Sequence, residues 1–153
     1  MPHRSVSHCP LPASSRLHER IRKGDFMDCY ATQSDMDPRR AAEIITSFPG
    51  WARLLVSLRN ILTAPFCLRG DAPPADDIVG IFPVESESEN ELIAGFNDKH
   101  LDFRVAVLRE AGRVHLATWV HPHNIGGRLY LATIMPFHIL IARDALARVA
   151  RAG

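Results

Sequence analysis

Two histidines two residues apart, His121 and His123, stand on one side of an alternating run. Side chains at i and i+2 of a strand share a face, so the pair can offer two imidazoles to one metal ion. Zinc takes three or four protein ligands, and no cysteine or carboxylate stands at a ligand spacing beside them. No metal site is expected. A second group is Asp98, His100, Asp102 and Arg104, again on one strand face. A carboxylate that orients an imidazole makes a general base, which makes His100 a weak catalytic candidate; a solvated outer face explains the same alternation. The third group lies near the C-terminus. Arg128 can bind an acidic head group, and Tyr130 offers an apolar ring with one hydroxyl. His138 stands inside an apolar run, where it is either a satisfied core residue or, lining a cavity, an acid/base or ligand-orienting group. No Ser/His/Asp set, phosphate loop or nucleophile elbow is recognisable, and no cofactor is expected.

The elements that must position these groups follow from hydrophobic period. Asp25–Gln33 alternates, with Phe26, Tyr30 and Thr32 on one side and Met27, Cys29 and Ala31 on the other, and reads as a first strand. Asp37-Pro38 is a helix start, followed by Ala41, Ala42, Ile44 and Ile45. A second helix carries Trp51, Leu54, Leu55, Leu58, Ile61 and Leu62 in one stripe. Strands are expected at Ile78–Val84, Glu91–Phe96, His100–Arg109 and Arg113–His123, the last two joined by a hairpin at Gly112. From Leu129 to Ala142 no residue is formally charged if His138 is neutral, and apolar residues fall on almost every side of the helical wheel. Such a helix is expected to be enclosed, with Leu131, Ile134, Met135 and Ile141 largely buried alongside Trp51, Leu55 and Leu58. The run is short of the ~20 residues that cross a bilayer, and Pro136 is expected to bend it.

Length and composition set the frame. One domain is expected from 153 residues, and a net charge of +1 with 23% charged residues excludes an electrostatic nucleic-acid or acidic-substrate binder. Cys9, Cys29 and Cys67 form no disulfide framework, which points to a reducing cytoplasm, and Cys29 and Cys67 read as small buried hydrophobes. Residues 1–24 carry four arginines and a lysine against Glu19 alone. With no apolar signal core, they are expected to be a basic, partly flexible leader, with the domain at 25–153. The order of elements implies α+β: an antiparallel sheet of about six strands wrapped around a long C-terminal helix, with two short helices after the first strand.

Several blocks in order carry a family resemblance. They are Leu11-Pro12 with Asp25-Phe26-Met27-Asp28, Phe48-Pro49-Gly50-Trp51 with Leu58-Arg59-Asn60, and Gly80-Ile81-Phe82-Pro83. His100–Arg104, Gly127–Tyr130 and Pro136-Phe137-His138 complete the set. Together they resemble the bacterial domain-of-unknown-function family 2867, itself similar to the Bet v 1/START-like (SRPBCC) group. That resemblance implies a helix-grip fold holding an apolar ligand between sheet and C-terminal helix. The expected function is therefore binding of a hydrophobic small molecule or lipid by Phe103, Val105, Tyr130, Ile134, His138 and Arg128. One alternative is an enzyme of lyase, cyclase or hydrolase type on the same scaffold, using His138, Tyr130 or His100. The other is an interaction domain whose cavity is filled by its own side chains. Neither a nucleic-acid partner nor a transmembrane segment is expected, and oligomeric state stays open.

Overall fold

A computed structural model describes residues 6–46, 78–79, 82–97 and 101–152. The elements are β1 (Ser7–His8), a 3-10 turn (Arg16–Glu19), β2 (Phe26–Gln33), α1 (Pro38–Thr46), β3 (Ile78–Val79), β4 (Phe82–Glu87), β5 (Glu91–Asn97), β6 (Leu101–Glu110), β7 (Arg113–Pro122) and α2 (Ile125–Ala152). All strand pairs are antiparallel. They form one seven-stranded sheet in the order β1-β2-β7-β6-β5-β4-β3. Five segments were read as strands and about six strands expected; the segment read as one strand, 78–84, supplies two, pairing Ile78 with Pro83 and Val79 with Phe82. Two-residue β1 adds an edge.

Local chemistry accounts for the turns and caps. Ala111 (φ 53°) and Gly112 (φ 73°) both take the left-handed conformation, which suits a two-residue hairpin joining twisted strands. Gly95 lies so close to β6 that a Cβ there would sit 2.2 Å from the Phe103 carbonyl oxygen, so only glycine fits. α1 starts as expected, with the Arg40 N–H donating to Asp37 Oδ2 at 3.2 Å. Asn124 caps α2 through Oδ1, which accepts from the Gly127 N–H at 2.9 Å.

One sheet face packs against α1 and α2. Tyr30, Leu92, Leu101, Phe103, Val105, Val107, Val114, Leu116 and Val120 meet Ala41, Ala42 and Ile45 from α1 and Ala142, Ala145, Leu146 and Val149 from α2. Small residues on α2 let the helix approach closely. The expected full enclosure of α2 does not hold. Ile125, Leu129, Phe137 and Leu140 are exposed, 61–76% each, and Leu131, Met135 and Ile141 are only half-buried. One sheet covers one face of a helix, and the outward face of the first four turns stays apolar and uncovered. Its arms, Ile125–Thr133 and Met135–Ala152, meet at 55°, next to Pro136, whose ring displaces the carbonyl of the preceding turn. No single helix among the described residues is long and apolar enough to cross a membrane. Trp51, Leu55 and Leu58 lie outside the described residues.

The opposite sheet face is covered too, which overturns its reading as a solvated surface. Leu11 and Leu17 pack on Cys29, Ile93, Ala106, Leu108, Ala117 and Trp119. His115 and Arg104 are buried with them. The alternation that suggested water on this side arises because polar and small residues here meet residues 9–22. The attachment point is Glu91, itself buried. It accepts from Ser15 Oγ at 2.5 Å and from the Arg16 N–H at 2.9 Å, while Ser15 Oγ accepts from the Leu17 N–H at 3.1 Å. Replacing Glu91 by Ala leaves the buried Ser15 hydroxyl and the part-buried Arg16 N–H without an acceptor, at a cost of about 1–3 kcal/mol. Urea titration is expected to show that loss, and limited proteolysis to cut residues 9–24 faster than in the wild type. Unchanged cleavage would mean that Leu17 alone holds the segment.

Candidate functional site

The inner sheet face is built in cross-strand rows. Phe26, Val120 and Phe103 are register partners, as are Tyr30, Leu116 and Val107. Between these apolar rows runs a third, of Asp28, Thr118, Val105 and Ala94. Directly opposed residues carry their side chains on the same face, with Cβ atoms about 5 Å apart. A carboxylate and a hydroxyl therefore stand side by side in an otherwise apolar surface.

α2 answers the carboxylate with one side chain. His138 Nε2 lies 3.1 Å from Asp28 Oδ2 and 3.4 Å from Oδ1, and both side chains are at least nine-tenths buried. The Phe26 ring meets the imidazole edge-on at 6.2 Å and fixes its plane. Tyr30 lies one row away; burial and the Asp28 carboxylate raise its phenol pKa against a smaller opposing effect of Arg143, so it is a neutral hydrogen-bonding group. Thr118 is 1% exposed, yet its Oγ1 has no hydrogen-bond partner. The arrangement offers an oriented imidazole, a neutral phenol and an unused hydroxyl facing the helix side.

Of the residues expected at the site, Phe103, Val105 and His138 come together on this face. Arg128 is exposed in the first turn of α2. Tyr130 and Ile134 lie on the same helix, but their side chains are outside the description. His100 is outside the described residues altogether. Asp28 and Thr118 were missed. Their signal was available: Asp28 shares parity with Phe26 and Tyr30, and Thr118 with Leu116 and Val120, so each is a polar residue on a core face.

A second cluster occupies the outer face at the far end of β7. Asp25, whose side chain is 1% exposed, accepts from Trp119 Nε1–H at 2.8 Å and pairs with His121 Nδ1 at 2.5 Å. His123 Nε2 lies 2.8 Å from Asp102 Oδ1. The two imidazoles meet edge-to-face at 5.3 Å. Each ring is thus committed to its own carboxylate. Glu19, Arg20, Arg22, Asp102, Trp119, His121 and His123 line a cleft of about 350 Å³. Arg20 also pairs with Glu85, as does Arg104 at 3.3 Å.

The chain belongs to the family described as protein of unknown function DUF2867, which matches residues 20–145. No curated protein and no solved structure matches it.

Asp25 gives a pH-dependent expectation. Burial acts to raise its carboxyl pKa, but hydrogen bonds from His121, the Arg22 amide and Trp119 outweigh it and hold the group below its usual value. A depressed carboxyl pKa stabilises the fold above the unfolded value of about 3.9, and that contribution disappears as pH falls through the lower folded value. Asp25→Asn is expected to lose about 1–3 kcal/mol at pH 7. The gap to the wild type should close on acidification below about pH 4, as read by urea unfolding across pH. A gap independent of pH would mean that shape rather than charge sets the contribution.

Proposed function

We propose that this chain is a helix-grip domain that binds a hydrophobic small molecule or lipid-like ligand between the inner sheet face and α2. The polar end of the ligand would sit at Asp28, Thr118 and His138. The observation that carries the reading is Thr118 Oγ1, buried without a hydrogen-bond partner beside the Asp28–His138 pair. A buried hydroxyl left unpaired costs about 1–3 kcal/mol, and a ligand group that bonds to it recovers that loss. Apolar rows on both sides of the polar one supply the dry walls that small-molecule sites use. The order of elements, with β2 and α1 followed by antiparallel strands and a long final helix, supports the helix-grip assignment. The arm of α2 N-terminal to the bend, with Tyr130 and Ile134, would cover the apolar tail, and Arg128 would stand at the mouth.

A second reading is favoured by the Asp28–His138 contact alone. Asp28 can fix the tautomer of His138 so that the ring's other nitrogen acts as acid or base. On this reading a hydrophobic substrate would bind at the same face, with Tyr30 as a further proton donor.

Thr118→Val tests the binding reading in one variant. Removing an unsatisfied buried hydroxyl is expected to stabilise the ligand-free protein by about 1 kcal/mol. Affinity for an apolar probe with a polar head, such as a fluorescent fatty acid, should fall several-fold, with affinity for a headless hydrocarbon dye unchanged. Loss of stability with unchanged fatty-acid affinity would show that the hydroxyl serves the fold and would remove the main support. Native mass spectrometry of the protein from its host, followed by solvent extraction, should find an apolar molecule bound. Chemical conversion of that molecule by fresh protein, abolished in Asp28→Asn, would put the enzyme reading first.

A further inference from the structure

Cys9, Cys29 and His115 come together at the edge of the sheet, on the face covered by residues 9–22. β1 and β2 pair Ser7 with Ala31 and His8 with Tyr30. Continuing that register sets Cys9 opposite Cys29, and the Cys9 N–H donates to the Cys29 carbonyl at 2.9 Å. On the other side of β2, Ala31 is the partner of His115 in β7. Three adjacent chain segments thus each place one side chain on a common spot. Cys9 Sγ is 3.6 Å from Cys29 Sγ and 3.7 Å from His115 Nδ1, and all three ligand atoms lie within 4.8 Å of one another.

Those separations are what a tetrahedral metal imposes. Zinc bonds thiolate sulfur at about 2.3 Å and imidazole nitrogen at about 2.0–2.1 Å. Tetrahedral angles then hold two sulfurs about 3.8 Å apart and sulfur and nitrogen about 3.6 Å apart. Two sides of the triangle already match, and about 1 Å of side-chain movement closes the third. The surroundings suit a ligand set. His115 is buried, so its ring is already held by the residues around it. Cys29 is fully buried, whereas Cys9 is part-exposed, which leaves a route for the ion and a side open to solvent. In the metal-free protein burial, the neighbouring Cys9 thiol and Asp28 push the Cys29 thiol well above its usual range, against a smaller opposing effect of Arg113.

We propose that Cys9, Cys29 and His115 form a three-ligand site for a thiophilic divalent cation, zinc above all, with solvent as fourth ligand. Each thiol gives its proton to solvent as its sulfur bonds the metal, and His115 binds through its neutral nitrogen. The ion would clip the N-terminal segment to β2 and β7. Nothing in this depends on the ligand site across the sheet.

Titration of the reduced protein with Co²⁺ tests it. The expected result is one equivalent bound, with a thiolate-to-cobalt charge-transfer band and tetrahedral ligand-field bands, both removed by one equivalent of Zn²⁺. Cys9→Ala, at a part-exposed position where the fold is retained, should lose the charge-transfer intensity from that sulfur and weaken binding at least tenfold. His115→Ala should do likewise, and His121→Ala should change nothing. Bound zinc should also slow proteolysis of residues 6–24. The assignment fails if reduced wild-type protein gives no charge-transfer band. It also fails if zinc content is unchanged in Cys9→Ala, or if air oxidation links Cys9 to Cys29 in protein that takes up no metal when reduced.

Discussion

The structure depends on covering an antiparallel sheet on both faces. Such a sheet can leave one face in water, but here β6 and β7 are buried along nearly their whole length. α1 and α2 supply one cover and residues 9–22 the other. Two cores therefore share one sheet, and the polar groups on each face must find partners in its cover. Glu91 finds Ser15 and Arg16; Asp25 finds Trp119 and His121; Asp28 finds His138.

These three carboxylates act as fixed points for chain segments that local propensity would not order. A buried carboxylate is costly unless hydrogen-bonded, so each one selects the geometry that satisfies it. Glu91 selects the docking of the 3-10 turn. Asp28 selects the rotation of α2 about its axis, since only the face bearing His138 meets it. Ala142, Ala145, Leu146 and Val149 share that face, so electrostatic and packing demands agree on one orientation. Where they cease to agree, N-terminal to Pro136, the helix bends and its outward face remains apolar.

The two covers have different chemistry. The helical one is apolar apart from the Asp28–Thr118 row and the His138 that meets it. The N-terminal cover is made of irregular chain, held by hydrogen bonds and ion pairs. It brings cysteines and histidines together at one edge and paired imidazoles and carboxylates at the other. A metal at the first of these would add a bond to a segment otherwise held by Leu11, Leu17, Glu91, the β1–β2 pairing and the Arg20–Glu85 ion pair.

The sequence by itself determined the elements and their class. The Asp37-Pro38 helix start, the Gly112 hairpin, the face assignment of Phe26 and Tyr30 and the long C-terminal helix all follow from local rules: φ preference, capping and side-chain period. His138 was legible as the polar residue in an apolar run, and Asp28 was legible in principle from strand parity. Only the tertiary structure decided what lies against each face. Alternation shows which side chains share a face but not what covers it, so the face bearing Asp102 and Arg104 read as solvated. Nor does period reveal a contact between residues far apart in the chain. Asp28 meets His138 across 110 positions and Cys9 meets His115 across 106, because strand order, absent from any local pattern, brings their segments together.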